Sequence, residues 1–330
     1  MRLYPILLIV GILILVVPVT AQTGVPAEEL ADPDGAFVDV NGLSIYYTEN
    51  GPADGPVVML LHGFGGSTFT WRDNIAPLVE AGYRVIAYDR PPFGLSDKQP
   101  TPIDQTGTGH AAIATGLMDA LGIDSAVLVG HSAGGSVIAH TALLYPERVA
   151  GLVFVAGAVG DDGDADGSSG QAEAGDSGLG GLFDLGQNID PEAPLALALV
   201  RTFLTPERFT SILEGAYHPS FDVTDDIRAG YSRVLQVENW EAGFLTLFSS
   251  NAMPDPVNLN DLAALDIPAL LIWGAQDTWI PLSQGELLHD TLPGSELVVY
   301  DDVGHMPMEE AIEAFNADLL NFLDGIYSAG

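Results

Sequence analysis

The length, composition and charge of the chain exclude several classes of protein. Its 330 residues include 45 Asp and Glu but only 10 Lys and Arg, which gives a formal net charge of −35, and they include no cysteine. The absence of cysteine excludes disulfide scaffolds, thiolate zinc sites, iron–sulfur clusters and a cysteine nucleophile. The charge excludes nucleic acid as a natural partner, because phosphate binding requires clustered basic side chains.

The acidic excess also indicates adaptation to concentrated salt. Lys98 is the only lysine, and the other nine basic residues are arginines. At about 1 M salt the Debye length falls to roughly 3 Å, so carboxylates that repel one another in dilute buffer hardly interact. The composition is therefore typical of a halophilic protein, and the alternative is an ordinary acidic protein.

The N-terminal segment has the features of an export signal or a membrane anchor. No charged residue lies between Leu3 and Ala27, and residues 3–19 are almost continuously aliphatic. A helix of that length spans roughly 25 Å, which is long for a secretory signal and short for a bilayer core of ~30 Å. The small residues at 19–21 offer a cleavage site. We expect residues 1–21 to be a signal peptide or anchor, the remainder to lie outside the cytoplasm, and membrane contact to occur only through this segment.

The body of the chain alternates strands and helices. Residues 22–36 are predicted to be a polar linker, and the two strands that follow are joined by a tight turn at Asn41-Gly42. Later aliphatic runs are uninterrupted, which indicates strands covered on both faces and hence a mainly parallel sheet in an α/β layered structure. The predicted strands occupy residues 37–40, 43–48, 57–61, 84–88, 126–129, 149–155, 269–273 and 296–300. The predicted helices of this body occupy residues 71–80, 105–121, 133–145, 283–292 and 308–326.

This alternation is interrupted at residues 159–258. Residues 161–181 are rich in Gly, Asp and Ser and contain no basic residue, which is typical of a flexible acidic loop. The stretches 194–216 and 226–248 have helical character, and Pro206 can occupy the first turn of a helix. Since strand-like runs resume afterwards, we predict an acidic loop and a helical cap inserted into a sheet domain. That sheet domain comprises residues 37–158 and 259–330.

One short motif predicts a nucleophile. Residues 130–134 are G-H-S-A-G, which fits the pattern G-x-S-x-G and directly follows the predicted strand at 126–129. Small residues around Ser132 allow a sharp turn that presents its hydroxyl at the strand end. The N-terminus of the following helix favours negative charge that develops beside the serine. The alternative is a serine that merely caps a helix.

A serine nucleophile requires a base and a carboxylate that orients the base. Among seven histidines, only His305 lies in a Gly-His loop between a late strand and the last helix, and Asp277 lies just past another strand. Strand ends of an open α/β sheet meet at one edge, so Ser132, Asp277 and His305 can converge. Asp161 and Asp162 follow a different strand and are the alternative acids.

A glycine-rich segment follows the strand at 57–61. Residues 62–66 are H-G-F-G-G, and glycines there let the backbone approach a ligand. The amides of Phe64 and Ala133 are therefore the candidates for an oxyanion hole. His62 is predicted to hold this loop by hydrogen bonds.

Taken together, these motifs resemble those of the α/β-hydrolase superfamily, from about residue 37 to residue 326. The resemblance implies the α/β-hydrolase fold, with a mainly parallel eight-stranded sheet, helices on both faces and an inserted cap. It also implies a serine hydrolase without a cofactor or metal ion. Pro92 replaces the usual glycine of the family's D-R-P-G-F-G-x-S loop, a departure that could alter the turn. The resemblance is carried by residues 62–66, 89–96, 130–134, 274–277 and 304–305.

The resemblance implies that the chain cleaves an ester-like bond of a small, partly apolar substrate through an acyl-enzyme. Phe64, Trp279 and Met306 are the candidates for an apolar pocket, and ordinary core packing is their alternative role. A carbon–carbon bond hydrolase of the meta-cleavage type or a cofactor-free perhydrolase is the alternative chemistry, although Ala133 stands where perhydrolases commonly carry Met. The rival from another class is a non-catalytic, ligand-binding member of the fold. The sequence leaves the oligomeric state open.

Overall fold

A sheet of eight strands organises the residues described by the computed structural model, which are 24–98, 104–160, 193–248 and 256–327. The strand order is β1-β2-β4-β3-β5-β6-β7-β8, in which the β1/β2 and β2/β4 pairs are antiparallel and every other pair is parallel. The predicted, mainly parallel sheet is thereby confirmed. The strands are β1 Gly35–Val40, β2 Leu43–Asn50, β3 Val57–Leu61, β4 Arg84–Tyr88, β5 Ala126–His131, β6 Val149–Val155, β7 Ala269–Gly274 and β8 Glu296–Tyr300.

The turn between β1 and β2 is the tight hairpin that the sequence predicts. Asn41 and Gly42 have φ values of 57° and 85°, and Val40 pairs with Leu43 across them. Positive φ at both central residues matches the right-handed twist of the flanking strands, and Asn followed by Gly adopts it at little cost.

The central strands are covered on both faces by helices. All six residues of β5 are buried, with Val127 and Val129 packed in one core cluster and Leu128 in the other. This alternation explains why the strand is apolar up to Gly130, because both of its faces need apolar side chains. The helices of the sheet domain are α1 Ile75–Glu80, α2 Gly107–Ala120, α3 Ala133–Leu144, α8 Leu259–Ala263, α9 Leu282–Thr291, α10 Pro307–Glu310 and α11 Ile312–Tyr327.

Four helices between β6 and β7 form the described part of the cap: α4 Pro194–Phe203, α5 Pro206–Glu214, α6 Asp225–Ser232 and α7 Trp240–Phe248. Each helical stretch predicted here is divided into two helices. Pro206 begins α5, and the side chain of Thr205 caps it by accepting a hydrogen bond from the Arg208 amide. The second stretch is interrupted after Ser232 by a 3-10 turn over Arg233–Gln236, by the extended Val237 and by Asn239, which has a φ of 61°.

The described part of the predicted linker lies against the cap. The Val25 amide donates to the Gln236 carbonyl at 2.8 Å, and the Glu238 amide donates to the Val25 carbonyl at 3.0 Å. An ion pair of 2.8 Å between Arg233 and Asp32 adds a second attachment. The chain therefore reaches β1 along the cap, a path that local composition does not encode.

Several predicted features lie outside the described residues. They are the signal or anchor at 1–21, the acidic loop at 161–181, and the alternative acids Asp161 and Asp162. Within the described ranges, no helix combines the length and apolar character needed to cross a membrane.

Candidate active site

Ser132 lies in a strained turn at the carboxyl end of β5. Its φ of 50° and ψ of −123° are unusual for a residue with a side chain, and such a conformation persists only when its surroundings impose it. The Ser132 amide donates to the Val155 carbonyl at 3.0 Å, and the Ala158 amide donates to the Ser132 carbonyl at 2.9 Å. A Cβ atom at Gly130 would lie 2.5 Å from the Gly134 carbonyl oxygen, so this turn requires glycine. The geometry is that of a nucleophile elbow.

His305 and Asp277 form a buried pair at the same edge of the sheet. Nδ1 of His305 donates to Oδ2 of Asp277 at 2.8 Å. The other carboxylate oxygen, Oδ1, accepts from the amides of Trp279 and Ile280 at 2.8 and 2.9 Å. His305 is only 1% exposed and Asp277 only 8%. The two amides thus hold the carboxylate in place on the side away from His305. The carboxylate in turn keeps the proton of the imidazole on Nδ1.

The remaining ring nitrogen of His305 is available to accept a proton. Nε2 is buried and has no hydrogen-bond partner among the described residues. The rings of His131 and Trp279 flank the imidazole, with centroid separations of 4.8 and 5.3 Å. Since His131 immediately precedes Ser132, these contacts bring the imidazole beside the elbow. The structure therefore gathers the three predicted triad residues at the carboxyl ends of β5, β7 and β8.

His131 is a supporting residue that the sequence analysis did not single out. Its Nε2 atom donates to the carbonyl of His305 at 3.0 Å. Burial holds the pKa of His131 well below its usual range, so the ring stays neutral and carries one proton. Its position inside the G-x-S-x-G motif was the available signal, because a residue beside the nucleophile must also lie beside the base.

The loop after β3 approaches the nucleophile from the neighbouring strand, because β3 lies beside β5 in the sheet. A Cβ atom at Gly63 would lie 2.8 Å from the Cβ atom of Ser132. Neither the Phe64 amide nor the Ala133 amide donates a hydrogen bond to another described residue. Both predicted oxyanion donors are therefore free to bind a developing negative charge.

Hydrogen bonds of His62 hold this loop, as the sequence predicts. Its Nε2 atom accepts from the Arg90 amide at 2.8 Å, and its Nδ1 atom donates to the Gly63 carbonyl at 2.7 Å. Nε of Arg90 in turn donates to the His62 carbonyl at 2.7 Å. Burial holds the pKa of His62 well below its usual range, which keeps the ring neutral and its single tautomer in place.

The loop after β4 connects the sheet to the cap. The carboxylate of Asp89 accepts from the amides of Thr68 and Leu95, both at 2.6 Å. Burial raises the pKa of Asp89 to about 6, and these two amides oppose the rise. Pro92, which replaces the family's glycine, lies in this loop. A Cβ atom at Gly243 of α7 would lie 2.7 Å from the Pro92 carbonyl oxygen. The substituted loop is thus in close backbone contact with the cap.

Aromatic rings from the sheet domain and the cap meet beside the elbow. The ring of Phe244 lies 6.2 Å from Phe64, 5.9 Å from Phe93, 6.0 Å from Phe209 and 5.7 Å from Trp240. All four contacts are close to edge-to-face, a favourable arrangement of aromatic rings. We call these five residues the aromatic wall. Phe64 is 42% exposed, whereas the other four rings are buried in the main core cluster, so Phe64 is the ring of the wall that faces open space.

The other two predicted pocket residues lie in different surroundings. Trp279 is half-buried beside the His305 ring. A Cβ atom at Gly215 of the cap would lie 3.9 Å from Nε1 of Trp279. Met306 is only 3% exposed and packs in the main core cluster, which corresponds to its alternative role.

Each positive side chain that the structure describes already donates at least one hydrogen bond within the protein. Every one of them donates a hydrogen bond to a carboxylate or to a backbone carbonyl: Arg72, Arg84, Arg90, Lys98, Arg148, Arg201, Arg208, Arg228 and Arg233. The aromatic wall itself contributes no charge. In the described ranges, no group of three or more His, Asp or Glu residues could hold a metal ion.

The described residues thus place a strained serine, a carboxylate-bound histidine and two amides without a described acceptor at the carboxyl edge of a parallel sheet, which is the arrangement of a hydrolase of the α/β class. A family model of the alpha/beta hydrolase fold matches residues 56–312. The chain therefore belongs to the α/β-hydrolase family, as its motifs predict.

Two sequence relatives and one solved structure are similar to most of this chain. The chain is 34% identical over 300 residues to a 2-hydroxy-6-oxo-6-phenylhexa-2,4-dienoate hydrolase of Burkholderia cepacia, covering 87% of this chain and 95% of the relative. It is 31% identical over 307 residues to a 2-hydroxy-6-oxononadienedioate/2-hydroxy-6-oxononatrienedioate hydrolase of Klebsiella pneumoniae, with coverages of 90% and 98%. A solved bacterial membrane phospholipase A is similar with a TM-score of 0.67 and 26% identity, covering 89% of this chain and 86% of that one.

Proposed function

We propose that the protein hydrolyses an ester of a small, uncharged and partly apolar substrate through an acyl-enzyme on Ser132. The observation that supports this most strongly is the exposed ring of Phe64, which lies next to the elbow and is backed by the buried rings of the aromatic wall. An apolar acyl or alcohol group gains about 25 cal/mol for each Å² of its surface that the wall removes from water.

The geometry supports a two-stage acyl transfer. The Ser132 hydroxyl attacks the ester carbonyl while Nε2 of His305 takes its proton, and Asp277 stabilises the imidazolium that forms. The amides of Phe64 and Ala133 bind the oxyanion, each contributing roughly 3–4 kcal/mol of transition-state stabilisation. His305 then gives its proton to the departing alcohol. A water molecule attacks the acyl-enzyme in the same manner, and Ser132 regains its proton.

The second candidate is cleavage of a carbon–carbon bond. The sequence relatives favour it, because both are named for oxo-dienoate substrates. Those substrates carry a carboxylate, and burying a carboxylate requires a positive or hydrogen-bonding partner. The aromatic wall contributes no charged group that could hold this carboxylate, which favours an uncharged ester.

A paired kinetic measurement distinguishes the two candidates. Purified protein is given p-nitrophenyl butyrate or 2-hydroxy-6-oxo-6-phenylhexa-2,4-dienoate under the same conditions, with Ser132→Ala as the control for contaminating hydrolases. We expect kcat/KM to be higher for the ester and both rates to vanish in the control. A higher value for the dienoate would establish the carbon–carbon hydrolase instead. Turnover of neither substrate, without fluorophosphonate labelling of Ser132, would indicate the non-catalytic class.

A further inference from the structure

A single carboxylate binds the main chain on both sides of His305. Glu310 ends the short helix α10, and its Oε1 atom accepts from the amides of Gly304 at 3.0 Å and Met306 at 3.1 Å. Its Oε2 atom accepts from the amide of His218 in the cap at 2.7 Å, and the Gly304 amide also lies 3.2 Å from it. One side chain thus joins the loop of the base to the cap.

The His305 amide, which lies between the amides of Gly304 and Met306, also binds the cap. The His305 amide donates to the carbonyl of Ala216, also in the cap, at 2.7 Å. A Cβ atom at Gly304 would lie 2.6 Å from that carbonyl oxygen and 2.7 Å from the amide nitrogen of His218. The loop and the cap are therefore in direct backbone contact. All three amides of residues 304–306 donate hydrogen bonds either to Glu310 or to the cap.

The contacts of Glu310 require a carboxylate rather than an amide. Each of its described partners is an N–H donor, so a glutamine would have to direct its own N–H groups at one of them. Burial raises the pKa of Glu310, while the amides of His218, Gly304 and Met306 favour its charged form. None of these partners belongs to the aromatic wall, so the direct contacts of the carboxylate are with the loop of the base and with the cap segment 216–218.

We propose that Glu310 is a positioning residue: it fixes the main chain on both sides of His305 and ties it to the cap segment 216–218. The imidazole keeps its place beside Asp277 and the His131 ring only while this cap segment is seated. The inference rests on the hydrolytic chemistry proposed above. Removal of the carboxylate should lower kcat and leave KM nearly unchanged, because substrate binding and base placement use different residues.

The test compares Glu310→Gln with Glu313→Gln, a change at an exposed glutamate one turn further along the chain. We measure kcat and KM with p-nitrophenyl butyrate, the rate constant for inactivation by a fluorophosphonate, and the thermal midpoint. A misplaced base should lower kcat roughly 10²-fold in Glu310→Gln and slow inactivation by a similar factor, with Glu313→Gln unchanged. Rates are expressed per titrated active site, so partial unfolding alone would lower the midpoint without moving them.

A second pair of variants tests the cap side of the same connection. His218→Pro removes the amide that binds Glu310, whereas His218→Ala keeps it and loses only the side chain, whose Nδ1 atom lies 2.7 Å from Oγ of Ser220. We expect His218→Pro to lower kcat and His218→Ala to leave it near the wild-type value. This pair decides the question if Glu310→Gln does not fold. In the folded double variant, the combined loss should be smaller than the sum of the two single losses, since both changes remove the bond between the His218 amide and Glu310.

Unchanged kcat and inactivation rate in folded Glu310→Gln would overturn the role of Glu310 while leaving the esterase proposal intact. Equal loss in His218→Pro and His218→Ala would overturn the backbone connection to the cap. A wild-type protein that neither turns over the ester nor reacts with the fluorophosphonate would overturn both proposals.

Discussion

Replacement of Asp277 by asparagine tests whether this residue orients the base. The carboxylate uses one oxygen for Nδ1 of His305 and the other for the amides of Trp279 and Ile280. Asparagine has only one oxygen, so it can satisfy one side alone. The variant therefore has two possible orientations, and their costs differ.

The hydrogen bonds decide which orientation is adopted. With its oxygen toward His305, the asparagine would turn its own N–H groups at two buried amides and leave them unsatisfied, at a cost of about 2–6 kcal/mol. With its oxygen toward those amides, it presents N–H groups to Nδ1 instead. Nδ1 must then be the acceptor, the proton moves to Nε2, and the ring can no longer take a proton from Ser132. A base in the wrong tautomer loses roughly 10⁴-fold in kcat, or about 5.5 kcal/mol.

The assay is kcat for p-nitrophenyl butyrate, with the thermal midpoint measured on the same samples. Asp161→Asn and Asp162→Asn serve as matched controls, because these acids follow a different strand and should not orient His305. A loss of less than about tenfold in Asp277→Asn, or a larger loss in either control, would show that the orienting carboxylate comes from the other strand.

Three further predictions concern the oxyanion loop, the N-terminal segment and salt. Gly63→Ala places a Cβ atom 2.8 Å from that of Ser132 and should lower kcat roughly 10²–10³-fold by displacing the Phe64 amide, whereas Gly325→Ala, with nothing within 4 Å, should leave kcat unchanged. N-terminal sequencing after cell fractionation should find the chain beginning near Gln22 outside the cytoplasm or held intact in the membrane; an intact Met1 on soluble cytoplasmic protein would contradict this. The thermal midpoint and the ester rate should rise together between about 0.1 and 1 M potassium chloride, as the Debye length falls from roughly 10 to 3 Å; a midpoint independent of salt would argue against halophilic adaptation.

The parts of the site that follow from local rules could be predicted from the sequence. The strand before Ser132 is apolar from Ala126 to Gly130, and small residues surround the serine, so both the elbow and its sheet edge are encoded locally. The convergence of Asp277 and His305 follows from topology, because parallel strands place their carboxyl ends together. The hairpin at Asn41-Gly42 is equally local, since two residues determine its backbone.

The parts that depend on tertiary partners could not be predicted. Val25 pairs with a cap segment more than 200 residues away, and nothing in a polar stretch specifies that partner. The support that His131 gives to His305 likewise joins two strand ends through a carbonyl, which carries no sequence signal. Helical periodicity predicts the extent of the cap helices but not the interruption at residues 233–239, because only the backbone conformation reveals it.

Among 45 acidic residues, the sequence does not distinguish the carboxylates that bind the cap from those that are merely exposed. Glu309 and Glu310 resemble two ordinary acids in the first turn of a helix, yet both join the cap to the sheet domain. Glu309 is buried and accepts from Arg72 at 2.7 Å, from the Tyr217 hydroxyl at 2.8 Å and from the hydroxyl of Tyr231.

These two residues give the salt prediction a mechanism. The cap segment 216–218 holds His305 by its backbone, so a disturbance that lifts the cap must also release the base. Repulsion between exposed carboxylates in dilute buffer is such a disturbance, because it opposes close packing of cap and sheet domain without breaking the buried hydrogen bonds directly. Activity should therefore fall when the cap loosens, even where the sheet itself remains folded, and salt should restore both together.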